Sequence, residues 1–104
     1  KAKDACVKVL AEESSTVVRV ATARALLRMK AEEERALSEL SKSLESPEEW
    51  SRLHAAIALD EAEEQARPAL PSLQKALTKQ PNKYIVRVAN KAVNDLLKTN
   101  NTVK

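Results

Sequence analysis

The chain has no glycine in 104 residues. Primed two-residue hairpin turns lose their usual residue, and a glycine-rich phosphate cradle is excluded. Phenylalanine is absent too, and Trp50 and Tyr84 are the only aromatics of their kind. That is too few rings for a base-stacking platform on single-stranded nucleic acid. Cys6 is the only cysteine, so no internal disulfide and no thiolate metal site can form. His54 is the only histidine, which excludes a multi-histidine metal cluster. No apolar run approaches the roughly 20 residues of a membrane helix, and no secretory leader pattern is visible.

What is present is helical. Ala, Leu, Glu, Lys and Arg dominate, and these are strong helix formers. The formal net charge is +3. Residues 1–60 carry 10 bases and 11 acids; residues 61–104 carry 8 bases and 4 acids. A basic end can attract polyanions, but spread along helices it reads first as a solvated face. The chain opens Lys1-Ala2-Lys3, without methionine and already in helical pattern. We therefore expect a piece of a longer protein.

One segment occurs three times: RVATARAL from Arg19, RLHAAIAL from Arg52, and VRVANKAV from Val86. The starting points stand 33 and 34 residues apart. Each copy follows a helix-period stretch ending in leucine, at Leu10, Leu44 and Leu77. A fixed period of this size marks stacked helix pairs. The first helix of each pair carries apolar residues at helical spacing. These are Ala36, Leu37, Leu40 and Leu44 in the second repeat, and Ala69, Leu70, Leu73 and Leu77 in the third. The first repeat has Ala2, Lys3, Cys6 and Leu10, where Lys3 breaks the pattern and Cys6 reads as an inert core thiol. The second helices are alanine-rich, which permits close packing. Ala55, Ala56 and Ala58 align with Thr22, Ala23 and Ala25, and with Ala89, Asn90 and Ala92.

Helix starts are marked as well. Ser46-Pro47-Glu48-Glu49 predicts a capping box, with Ser46 as N-cap. Ser14-Ser15-Thr16 and Asn82 predict the equivalent starts in repeats one and three. Pro68 and Pro71 suit the opening turn of the fifth helix. The acidic clusters Glu32–Glu34 and Asp60–Glu64 fall between predicted helices and read as solvated charge. They lack the ligand spacing and turn glycine of a calcium loop.

These segments resemble HEAT-like repeats of the short kind found in phycobilisome-lyase-type proteins. Arg52-Leu53-His54-Ala55-Ala56-Ile57-Ala58-Leu59 carries the likeness. The resemblance implies that the arginine at the Arg19 and Arg52 slot pairs with an acid near the end of the preceding helix. Glu12 and Glu45 are the expected partners, and Val86 interrupts the ladder in repeat three. Residues 36–97 are similar to the HEAT-like region that follows the catalytic domain in many bacterial sulfatases. Trp50-Ser51-Arg52-Leu53, Ala66-Arg67-Pro68-Ala69-Leu70 and Tyr84-Ile85-Val86-Arg87-Val88-Ala89 carry that likeness. It implies the non-catalytic tail of a larger hydrolase, periplasmic or secreted. The formylglycine motif Cys/Ser-x-Pro-x-Arg of that enzyme class is absent, because Val7-Lys8-Val9-Leu10 follows Cys6.

The expected fold is an all-α right-handed superhelix, a HEAT-like solenoid of three helix pairs. It forms one domain with repeats at about 1–33, 34–66 and 67–104. The expected role is structural or protein-binding, without catalysis, cofactor or metal. Its partner is expected to be a catalytic domain of the same parent chain. A free-standing scaffold and a nucleic-acid module are the alternatives, and a bilin-attaching lyase is a remote one. Trp50, Leu53 and Ile57 lie at spacings of 3 and 4, on one helix face beside His54, and are the candidate docking stripe. The opposing reading packs that stripe between repeats. Arg24, with Arg28 beside it, and Lys91 occupy nearly equivalent slots and are the candidate polyanion contacts. Ile57 holds that slot in the middle repeat, and an apolar middle makes a poor phosphate track. Nucleic acid therefore ranks behind a protein partner.

Overall fold

The computed structural model describes residues 2–79 and 81–101. Lys1 and Lys104, counted above, lie outside the described residues. Six α-helices follow in order: α1 (Ala2–Glu12), α2 (Thr16–Arg28), α3 (Glu33–Ser43), α4 (Glu49–Ala62), α5 (Leu70–Lys79) and α6 (Lys83–Leu97). A 3-10 segment, Glu63–Ala69, joins α4 to α5. No strand occurs among the described residues. The chain is all-α, a solenoid of three helix pairs.

Packing follows from side-chain size. The first helices contribute leucines: Leu10, Leu37, Leu40, Leu44 and Leu73 are buried. The second helices contribute alanines: Ala23, Ala55, Ala56, Ala58, Ala89 and Ala92 are buried. Small residues let α2 approach α4, and α4 approach α6, closely along their lengths. The described parts of α1, α3 and α5 make no comparable approach. The stack therefore curves toward the α2–α4–α6 layer. Burial of the leucines supplies much of the driving force, roughly 1.5–3 kcal/mol per fully covered side chain.

Ser15 caps α2, its Oγ accepting the Val18 N–H at 3.4 Å. Asn82 caps α6, its Oδ1 accepting from Tyr84 at 2.8 Å and Ile85 at 3.2 Å. The capping box expected at Ser46 does not form. The N-cap of α4 is Glu48, and its side chain makes no cap bond. Ser46 is instead drawn into the turn that ends α3, where its N–H bonds the Ser43 carbonyl at 3.1 Å. Its Oγ accepts the Glu48 N–H at 3.1 Å. The connection needs a local turn there before a helix can start.

The opening of α5 also differs from expectation. Pro71 lies in its first turn, but Pro68 sits inside the 3-10 segment. A proline ring removes the amide that would continue α-type bonding, and the chain tightens into 3-10 geometry. The acidic cluster at Asp60–Glu64 is not all loop: Asp60 and Glu61 belong to the last turn of α4. Glu33 and Glu34 likewise belong to the first turn of α3, where carboxylates favour the positive end of the helix dipole.

Candidate interaction face

The inner layer puts equivalent residues of α2, α4 and α6 side by side. Val17, Trp50 and Tyr84 are each the second residue of their helix. Their spacings are 33 and 34, so the repeat itself aligns them in one row. All three are open to solvent: Val17 is 41% exposed, Trp50 67% and Tyr84 68%. They stay exposed because the second helical position lies on the side away from the buried alanines. The His54 ring stacks against the Trp50 indole at 5.5 Å between centroids and 27° between planes. The Arg87 guanidinium stands 6.0 Å from the Tyr84 ring centroid, a cation–π distance. Val17, Glu48, Glu49, Trp50 and His54 line a shallow apolar depression between α2 and α4.

Leu53 and Ile57 stand differently from Trp50. Both are half-buried, and Leu53 packs against the core cluster. Its counterparts in the flanking repeats, Val20 and Arg87, are buried and exposed respectively. The structure therefore groups Trp50 with His54, Val17 and Tyr84 at the surface. Tyr84 and Val17 escape a reading that follows one helix at a time. The signal that finds them is the repeat register, since both occupy the Trp50 slot.

About two turns further along α2 and α6 the face is charged, and the charges pair. Arg24 and Arg28 both grip the Glu61 carboxylate, with Nε to Oε1 at 2.9 Å in each case. Hydrogen bonds from Arg24 and then Arg28 hold the Glu61 carboxyl well below the usual range, at about 2. Lys91 Nζ reaches Asp60 at 3.2 Å and Asp95 at 3.2 Å. Ile57 stands half-buried at the same slot in α4. The acids at Asp60 and Glu61 are thus the partners of the bases on the neighbouring helices. A reading of the sequence as loop charge facing solvent missed them. The seam is a ladder of internal pairs.

The arginines at the Arg19 and Arg52 slot brace the hairpin loops. Arg19 Nη1 donates to the carbonyls of Leu10 at 2.5 Å and Glu13 at 2.9 Å. Its Nη2 meets Glu39 of the second repeat at 2.5 Å. The acid it finds is Glu39 and not Glu12, because Glu39 lies nearly buried on the facing side of α3. Arg52 Nη1 donates to the Ser46 carbonyl at 2.7 Å. The Glu45 carboxylate, its expected partner, is engaged by Lys75 of the third repeat at 2.8 Å.

Among the described residues no group of three or more His, Cys, Asp or Glu side chains has an arrangement that could hold a metal ion. Among the described residues no helix is long and apolar enough to cross a membrane. A family model described as HEAT repeats matches residues 4–94. Neither the curated proteins nor the solved structures give a match.

Proposed function

The chain belongs to the HEAT-repeat family, and from that premise we propose that it is a non-catalytic scaffold that docks a protein partner on its inner layer. The anchors are Trp50, stacked on His54, and Tyr84, with Val17 completing the row. The observation that carries this reading is the exposure of the two rings at one repeat slot. Large aromatic residues dominate docking energetics when a partner desolvates them, and water is a poor environment for rings that serve no contact. The neighbouring bases support the same reading. Arg24, Arg28 and Lys91 are each held by carboxylates of this chain, so a polyanion would have to displace internal pairs to use them.

The partner we propose is the catalytic domain of a sulfatase-like hydrolase carried on the same parent polypeptide. The likeness of residues 36–97 to the helical tails of such enzymes is its support. In that setting the stack braces the enzyme, and the residues of this chain take no part in bond breaking.

The test is direct binding of this chain to the isolated catalytic domain of its parent, by calorimetry. Trp50→Ala combined with Tyr84→Ala is expected to abolish binding while helical content is unchanged. Raising the salt from about 0.1 to 1 M is expected to leave affinity within a few-fold, since apolar contacts are unscreened. Full binding by the double variant defeats the docking face. A parent reading frame with no hydrolase domain defeats the choice of partner.

A further inference from the structure

The two ends of the stack are finished differently. In α4, Asp60 reaches Lys91 of α6, so α6 lies on the Asp60 side. The opposite side of α4 carries Ser51, Ala55 and Ala58, all buried, and half-buried Ala62, and it faces α2. In α6 the same slots hold Ile85, Ala89, Ala92 and Leu96, and all are buried toward α4. In α2 those slots hold Val18, Thr22, Ala25 and Met29. The chemistry is that of a buried inter-repeat face, yet Val18 is 42% exposed and Met29 40%. Thr22 and Ala25 are only half-buried. The first helix repeats the pattern. Cys6 is half-buried, whereas Leu40 and Leu73 in its slot are fully covered.

The far end is built for water. On α6 the outward slots hold Arg87, Asn90 and Asn94, where α2 has Val20, Ala23 and Leu27. The carbonyl of Asn101 accepts from Asn90 Nδ2 at 3.0 Å and Asn94 Nδ2 at 2.8 Å, so the tail folds back over that face. A polar outer face of this kind is what a terminal repeat needs, and the α2 face lacks it.

We infer that the face of α2 bearing Val18, Thr22, Ala25 and Met29 docks a further helix pair of the same repeat type. Its second helix runs parallel to α2. The occupant follows from the interfaces inside the chain, where every equivalent face is covered by the second helix of the preceding pair. It presents small and aliphatic residues at the slots of Leu53 and Ala56. A carboxylate at the Asp60 slot comes within reach of the Arg24–Arg28 pair. A second copy of this chain is a poor occupant head to tail, because its free end is the polar α6 face. The inference stands on α1 and α2 and is independent of the aromatic row.

Met29 is the only methionine, and it makes the test specific. The probe is an extended chain in which a copy of residues 34–66, which holds no methionine, is fused ahead of residue 1. Peroxide oxidation of Met29 is followed by mass spectrometry in both chains. In the unextended chain Met29 is expected to oxidise as an accessible thioether does. In the extended chain oxidation is expected to slow by at least about tenfold. Val18→Asp in the extended chain is expected to restore the fast rate with helical content unchanged. Equal rates in the two chains overturn the inference. So does light scattering that shows the unextended chain as a dimer with Met29 protected, which assigns the face to a second copy. Trp50→Ala with Tyr84→Ala is expected to leave these rates unchanged, so this inference and the docking row fail separately.

Discussion

Trp50 and Tyr84 are the largest side chains on the surface, and their exposure separates stability from binding. Replacing either with Ala is expected to change unfolding free energy by no more than about 0.5 kcal/mol, as for other surface positions. Leu59→Ala, at a buried site, is expected to cost about 2–5 kcal/mol in denaturant titration. Leu53→Ala belongs nearer the second class, because Leu53 packs on the core. Ser51 offers the opposite case. Its Oγ is buried and lacks a hydrogen-bond partner among the described residues, so Ser51→Ala is expected to be neutral or stabilising. Glu61 sets an acid limit. Its carboxyl is held at about 2, below the ordinary 4.5, by Arg24 and Arg28. A depressed folded value means the ionised form stabilises the fold. That contribution is complete above about pH 4.5 and is lost as pH falls toward 2. Thermal melts between pH 7 and 2 are expected to fall less steeply for Glu61→Gln than for the parent chain. Added salt is expected to shrink the difference, because the pair is partly exposed.

At the scale of elements, helix ends carry the testable detail. Ser15→Ala and Asn82→Ala each remove an oxygen that satisfies free amides, and each is expected to cost about 1 kcal/mol. Asn82 also donates to Glu49 of α4 at 2.6 Å, so its loss is expected to be the larger. The C-terminal ends show what a chain without glycine has to accept. After α2, Lys30 takes φ 54°, and the Ala31 N–H bonds the Leu26 carbonyl at 3.0 Å. After α6, Lys98 takes φ 59°, and the Thr99 N–H bonds the Asn94 carbonyl at 3.0 Å. These are left-handed helix endings in which glycine is usual. Lys30→Gly and Lys98→Gly are each expected to raise stability by up to about 1 kcal/mol in chemical denaturation, because the Cβ strain disappears. Helix starts at Ser15 and Asn82 were legible because each cap residue directly precedes a strong helical pattern. The start of α4 was misread at Ser46. A serine followed by proline and two glutamates fits a cap and an isolated turn equally well, and the end of α3 chose the turn.

For the whole molecule, the stack is a sum of neighbour contacts, so its ends and its inner layer are decided separately. Ion pairs join the second helices at both seams: Arg24 and Arg28 with Glu61 at the first, Lys91 with Asp60 at the second. They fix the parallel register of the second helices while neutralising them. Their removal is expected to loosen the seams without exposing the leucine core. Hydrogen exchange is expected to show the slowest amides in α3 and α4, which have a helix pair on both sides, and faster exchange in α1. Uniform protection across the three repeats would contradict a nearest-neighbour stack.

Period, composition and the spacing of leucine and alanine determined the three helix pairs, because each repeat obeys local rules that one helix can display by itself. The same residues marked Trp50, His54, Arg24 and Lys91 as candidates. Which of them face solvent, and which are already taken, was decided only when the repeats came together. Glu61 sits 37 residues from Arg24 and Glu39 sits 20 from Arg19, so no local pattern announces either pair. Tyr84 and Val17 join Trp50 only through the stacking of equivalent slots. The open face of α2 carries small and aliphatic residues of the same kind as the buried faces of α4 and α6. Its apolar character alone does not tell it from a covered face; the exposure of Val18 and Met29 appears only in the assembled stack.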